Sequence, residues 1–178
     1  MTRSLVFFAP LLTFGIPELH VSGLALLAAI GPTVLAMAFG WANIRLGLSS
    51  RMVEMLGPLG SMDRARDLIY FFSGGAAQEY LYRWVVFVAF TPLLDWVVIP
   101  LSVLLFVGEH VLHAVARSTW DARDVVVHAV LGTVYAAVMY LTGSWLAVAI
   151  AHTVYNLPNV VQTLLRPSIP KRQPVPVA

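Results

Sequence analysis

A chain of 178 residues that is 59% hydrophobic and only 11% charged, with a mean hydropathy of +0.81, carries far too little charge for a soluble domain, where roughly a quarter of residues are charged. Cysteine is absent, which excludes disulfides and thiol catalysis and leaves any metal site to His, Asp and Glu. The net charge of +2 comes from basic residues scattered among connections rather than gathered in a stripe, so the expected partner is the lipid bilayer and not nucleic acid.

Thr2-Arg3-Ser4 followed by Leu5 to Phe14 resembles a short signal core, but no small-residue cleavage site follows it, so the stretch reads as retained. Leu5 to Ile16 is shorter than the ~20 residues that span a bilayer and is either a thin, tilted first span or a re-entrant piece. Val21 to Ala42 is a span whose Gly31-Pro32 predicts a kink, because proline removes one backbone hydrogen bond. Asn43 to Arg66 is the longest polar connection, with Arg45, Arg51, Arg64 and Arg66 against Glu54 and Asp63. Its Met52-Val53 and Met55-Leu56 side predicts an amphipathic piece on the membrane surface.

Four spans follow with short connections: Leu68 to Phe90, Trp96 to Ala116, Val125 to Leu141 and Ser144 to Leu165. The tail from Arg166 to Ala178 holds four prolines and is expected to be disordered. The chain therefore divides into an N-terminal region of spans and amphipathic connection (residues 1–66), a four-helix core (67–165) and a tail (166–178), and the fold class is an all-α polytopic membrane bundle. Arg and Lys occupy alternate connections, and Thr91 to Asp95 and Thr142-Gly143 have none. The positive-inside rule then predicts a multi-pass protein of the cell membrane with the long loop and C-terminus cytoplasmic, and six spans if the first stretch crosses or five if it does not. No internal repeat is visible, which argues against an inverted-repeat transporter.

Polar residues inside the spans are costly and mark function by default. Glu79 and Arg83 are four apart on one helix face, in the favourable order for a pair. Gln78 and Tyr82 share the neighbouring face, and Gly74, Gly75, Ala76 and Ala77 let another backbone come close. By rise per residue, Glu79 and His152 lie at comparable depths, roughly 18 Å along their spans, with His110 nearer the cytoplasmic end. Three helices thus bring one cavity within reach. His152 and Asn156, four apart, present two donors on one face. Each residue also has a plainer structural role: the ion pair locks helices together and a membrane histidine bonds across helices. For His113 and His128, close to the boundary, that structural role is preferred.

In this order the residues form three patterns, Gln78-Glu79-x-x-x-Arg83, Phe106-x-x-x-His110 and His152-x-x-x-Asn156, with a Thr142-Gly143-Ser144-Trp145 turn before the last. Over about residues 67 to 160 the chain resembles the CPBP family of intramembrane proteases, also called the CAAX protease or ABI family, which includes the type II CAAX prenyl endopeptidases. The resemblance implies a peptidase that hydrolyses a peptide or protein substrate at the membrane without a cofactor. Carried over by position, it makes His110 the partner of the attacking water, His152 and Asn156 the oxyanion hole, and Glu79 with Arg83 the supporting ion pair. The family's first motif begins Glu-Glu, and here the first of the two is Gln78, whose amide cannot accept a proton. Three readings stay open: a non-catalytic homologue, an introduced Glu-to-Gln exchange, or a substitute base, for which Glu109 and Glu79 are the candidates. A membrane scaffold or immunity protein of the same fold is the alternative function. A metal-dependent hydrolase built on Glu109-His110-x-x-His113 and His152 ranks last, because two histidines at i, i+3 align poorly on one ion.

Overall fold

The computed structural model describes residues 10–169 except 117, 119 and 120. Within these the chain is helical throughout: α1 (Leu11–Phe14), α2 (Gly23–Phe39), α3 (Trp41–Gly47), α4 (Ser50–Leu56), α5 (Ser61–Glu79), a π-helical segment (Tyr80–Val85), α6 (Val86–Leu94), a 3-10 turn (Asp95–Val97), α7 (Val98–Ala116), α8 (Ala122–Thr142) and α9 (Trp145–Leu165). Residues 5–9 of the first apolar stretch lie outside the described residues. Of the rest, residues 10–16, only the four residues of α1 are helical; they end at Gly15, whose φ of 71° favours glycine and whose carbonyl accepts from the Tyr80 hydroxyl at 2.9 Å. Its described portion is not a spanning helix.

The serine at 22 caps α2, accepting from Ala25 N at 3.0 Å. α2 runs unbroken through Pro32, and the sharp bend, 70°, falls instead at Gly40 between α2 and α3. The expected span 21–42 is therefore a helix to Phe39 and then a turn away.

The continuous run from Ser61 to Ala116 and α8 are each long and apolar enough to cross a membrane, and α2 with α3 also qualifies if the bent pair is one span. The 61–116 run is a hairpin. Ser102 Oγ donates to Tyr82 O at 2.6 Å, although twenty residues of straight helix would separate them by about 30 Å. The chain reverses at Asp95, whose φ is 48°, and Tyr140 holds that corner by donating its hydroxyl to the Asp95 carboxylate.

The Ser102 bond also ties α7 to the π segment. Val86 N–H bonds back to Leu81 O and Arg83 O, and Ser102 Oγ donates to the Tyr82 carbonyl between them.

Two packed clusters hold the bundle. Ala25 and Ala29 of α2 meet Leu131, Tyr135 and Val138 of α8 and Ala147, Val148 and Ala151 of α9. Val86 and Phe87 of α6 meet Val98 of α7 and Ala136 and Met139 of α8. Small residues dominate the first, as expected where helix backbones approach in lipid. Large apolar side chains such as Leu27 and Leu104 point outward and are over two-thirds exposed. The protein is a membrane protein, and those side chains are its lipid-facing surface.

The polar connection 43–66 is tied down by the end of α9. Gln162 donates to Gly47 O at 2.7 Å, the Arg166 guanidinium to Gly57 O at 3.0 Å and Leu56 O at 2.8 Å, and Arg64 to Arg166 O at 2.6 Å. Leu59 and Ser168 form a β-bridge, with Leu59 N donating to Pro167 O at 2.8 Å. Residues 166–169 are therefore packed, against the expectation of a loose tail from 166, and 170–178 lie outside the described residues. On this end, too, Arg123 donates to Phe39 O at 2.7 Å. Arg64, Arg123 and Arg166 thus gather at one end of the bundle. The opposite end, where Ser144 Oγ meets His20 O at 2.7 Å and α6 turns into α7, carries no arginine or lysine among the described residues.

Candidate functional site

The last turn of α5 places Glu79 in the centre of the bundle, with no accessible surface. One carboxylate oxygen accepts from His152 Nδ1 of α9 at 2.7 Å, and the other lies 3.2 Å from Nε of Arg83, itself fully buried in the π segment. Arg83 reaches on to α8, donating to Gly132 O at 3.2 Å, and its guanidinium carbon sits 4.4 Å from the centre of the Phe106 ring on α7. One ion pair therefore links four helices, with a cation–π contact closing the fourth side. Gly132 makes room for this approach. A Cβ there would lie 3.2 Å from the Phe106 ring and 3.4 Å from the guanidinium.

His152 stands against α5 because position 75 is glycine. A Cβ at Gly75 would lie 3.3 Å from two His152 ring carbons and 3.5 Å from Asn156 Nδ2. This contact puts both residues of the third motif on the face of α5 that carries the first. Replacing Gly75 by valine is expected to destabilise the protein by about 1–3 kcal/mol through overpacking, read as a lower unfolding midpoint in detergent; an unchanged midpoint would show that α5 and α9 are not in this contact.

His110 lies one helical turn beyond Phe106, its ring centre 4.4 Å from the phenyl centre. Its Nδ1 is 2.9 Å from Phe106 O. A carbonyl only accepts, so Nδ1 carries the proton and Nε2 is left as an acceptor in the neutral ring. His152 contacts the same phenyl ring edge-on at 5.9 Å. Phe106 is thus the hub around which Arg83, His110 and His152 are arranged.

The side chain of Gln78 donates from Nε2 to Glu109 Oε2 at 3.0 Å. The other oxygen of Glu109 accepts from His113 Nδ1 at 2.6 Å. Glu109 lies about 100° around α7 from His110, yet its carboxylate comes within 3.2 Å of His110 Nδ1. Among the described residues no group of three or more His, Asp or Glu is placed to hold a metal ion.

The structure brings Gln78, Glu79, Arg83, His110, His152 and Asn156 into one region. It also adds His128, for which sequence reasoning preferred a boundary role. The His128 ring stacks on His110 at 4.2 Å between centres, tilted 33°, and its Nδ1 donates to Asp124 O at 2.6 Å. Together with His113, Asp121 and Asp124 the two rings line a cleft of about 170 Å³, room for a few waters, at the arginine-rich end. The signal that would have found His128 is its spacing. His128, Gly132 and Tyr135 fall at i, i+4 and i+7 and so share the inward face of α8.

The sequence profile of the family described as type II CAAX prenyl endopeptidase Rce1-like matches residues 65–158, more than half of the chain. This protein belongs to the Rce1-like family. The match starts on α5, four residues after its first, and ends within α9, so it takes in every helix that contributes to the site. No curated protein and no solved structure gives a significant match. In this Rce1-like protein the second residue of the first motif, Glu79, is buried against Arg83 and His152, whereas the first, Gln78, faces Glu109 at the half-buried edge of the site.

Proposed function

We propose that this protein is an intramembrane endopeptidase of the Rce1-like type, with the site at Gln78, Glu79, Arg83, His110, His152 and Asn156. The observation that carries the reading is the convergence of His110 and His152 on one buried phenyl ring, with Gln78 bonded to Glu109 on the same helix as that ring. A water held at Nε2 of His110 attacks the scissile carbonyl carbon and gives up a proton to the site's base. The oxyanion is stabilised by the Asn156 amide and by His152 when its ring is doubly protonated; fixed donors act strongly where water is excluded. Collapse breaks the C–N bond, and the proton passes to the leaving amine. Glu79 and Arg83 hold His152 in place.

Purified protein in lipid nanodiscs, given an internally quenched farnesylated peptide ending in Cys-aliphatic-aliphatic-X, is expected to cleave it. His110→Ala should reduce the rate by about 10²–10⁴-fold with the fold intact. Equal rates for the two proteins would remove His110 from the chemistry. The amide at Gln78 favours a second reading, a non-catalytic scaffold that only binds its partner. That reading predicts no cleavage by any form and unaltered peptide binding by His110→Ala.

We further propose five spans, α2, α5 with α6, α7, α8 and α9, the core running from 67 to 165. α9 falls short of a lipid-facing helix in composition because His152, Asn156 and Asn159 sit on it. The arginine-rich end is placed in the cytoplasm. The chain has no cysteine, so Arg51→Cys should be labelled by an impermeant maleimide only in opened cells and Leu93→Cys in intact ones. The reverse pattern would invert the orientation.

A further inference from the structure

The carboxylate that the first motif lacks at position 78 is present one hydrogen-bond length from that side chain, delivered by another helix. We propose that Glu109 of α7 is the general base of this site, with the Gln78 amide as its positioning partner. This rests on the peptidase reading above and names the group that the reading leaves open.

Three observations carry it. The Gln78 amide and Glu109 carboxylate are hydrogen bonded at 3.0 Å, so a carboxylate oxygen lies about one hydrogen-bond length from the tip of the residue-78 side chain. The amide donates, which requires an acceptor opposite it, and His113 donates to the other oxygen at 2.6 Å. Two donors from two helices thus orient the carboxylate and still leave it unused lone pairs, since a carboxylate accepts about four hydrogen bonds. The Glu109 side chain is 15% exposed, reachable by a water yet largely shielded. It also lies 3.2 Å from Nδ1 of His110, beside the ring of the residue that the peptidase reading assigns to the water.

The competing candidate, Glu79, is already committed. Its side chain is fully buried, one oxygen is taken by His152 at 2.7 Å and the other faces Arg83 at 3.2 Å. A base needs a path for water to reach it, and among the described residues none leads to Glu79. In the proposed step Glu109 takes one proton from the water while the water oxygen bonds to the carbonyl carbon. That proton then goes to the amine as the C–N bond breaks, so the carboxylate is regenerated.

The test is a reciprocal exchange. Four proteins are compared in nanodiscs with the quenched farnesylated peptide and its unlipidated counterpart: the present chain, Glu109→Gln, Gln78→Glu, and the double variant carrying both. The double variant keeps one amide facing one carboxylate and reverses their helices. Expected are cleavage by the present chain, a fall of about 10²–10⁴-fold in kcat with KM little changed for Glu109→Gln, and recovery of most of that loss in the double variant. Unfolding midpoints of the double variant and the present chain should agree. Cleavage by Glu109→Gln at the rate of the present chain would overturn the assignment. So would a silent present chain beside an active Gln78→Glu, an outcome that leaves the peptidase reading standing. A folded but silent double variant beside an active present chain also overturns it. If all four are silent, the peptidase reading falls and takes this assignment with it.

Discussion

Replacing Arg83 by alanine is expected to lower the stability of the protein by about 3–5 kcal/mol, the cost of leaving one member of a buried ion pair alone. Both side chains have no accessible surface. In the variant Glu79 keeps His152 on one oxygen, but its other oxygen loses the only cation facing it among the described residues. Gly132 O loses its side-chain donor at the same time, and Phe106 loses the guanidinium over its ring. Removing both charges with Glu79→Gln and Arg83→Met should cost less than Arg83→Ala alone, because a neutral pair of similar volume carries no desolvation penalty. Unfolding in mixed micelles, followed through the five tryptophans, measures both. A double variant at least as destabilised as the single one would mean that packing, and not charge, decides this site.

His152→Ala is expected to reduce peptide cleavage by about 10²–10³-fold, the loss typical of one oxyanion donor, and Asn156→Ala by a similar factor. His152 carries a second role that Asn156 does not. It donates to Glu79 at 2.7 Å, so its removal should also lower the unfolding midpoint, whereas Asn156, half-buried at the edge of Gly75, should leave the midpoint nearly unchanged. A measurement of rate and midpoint on the same samples separates catalysis from scaffolding. Full activity in Asn156→Ala would reduce the third motif to a packing element.

Much of the fold is legible in the residues alone. Apolar length and the Gly143 corner place the last three helices within about three residues of their observed ends, because a bilayer admits only helices whose backbone groups bond internally. The ion pair is legible too, since opposite charges four apart in an apolar segment are tolerated there chiefly by facing each other. The membrane class follows from composition, and the family resemblance is carried by the residues of the three motifs in their order. One boundary is misread from sequence for a local reason. Asp63, Arg64, Arg66 and Asp67 look like a connection, yet α5 starts at Ser61, with Asp63 and Arg66 paired at 3.2 Å along its exposed first turns. Charge marks the end of a membrane layer, not the end of a helix.

What the tertiary structure alone decided are the relations that cross helices. The bend at Gly40 rather than at Pro32, the π segment tied to α7 by Ser102, the stacking of His128 on His110 and the meeting of Gln78 with Glu109 all depend on which faces pack together. The last is the most consequential. Position 78 read in sequence is a lost carboxylate, and in space it is an amide holding a carboxylate from thirty-one residues away. Spacing along one helix states which side chains share a face, but which face of another helix comes opposite is set by the close-packing of small residues such as Gly75 and Gly132 against side chains from elsewhere in the chain.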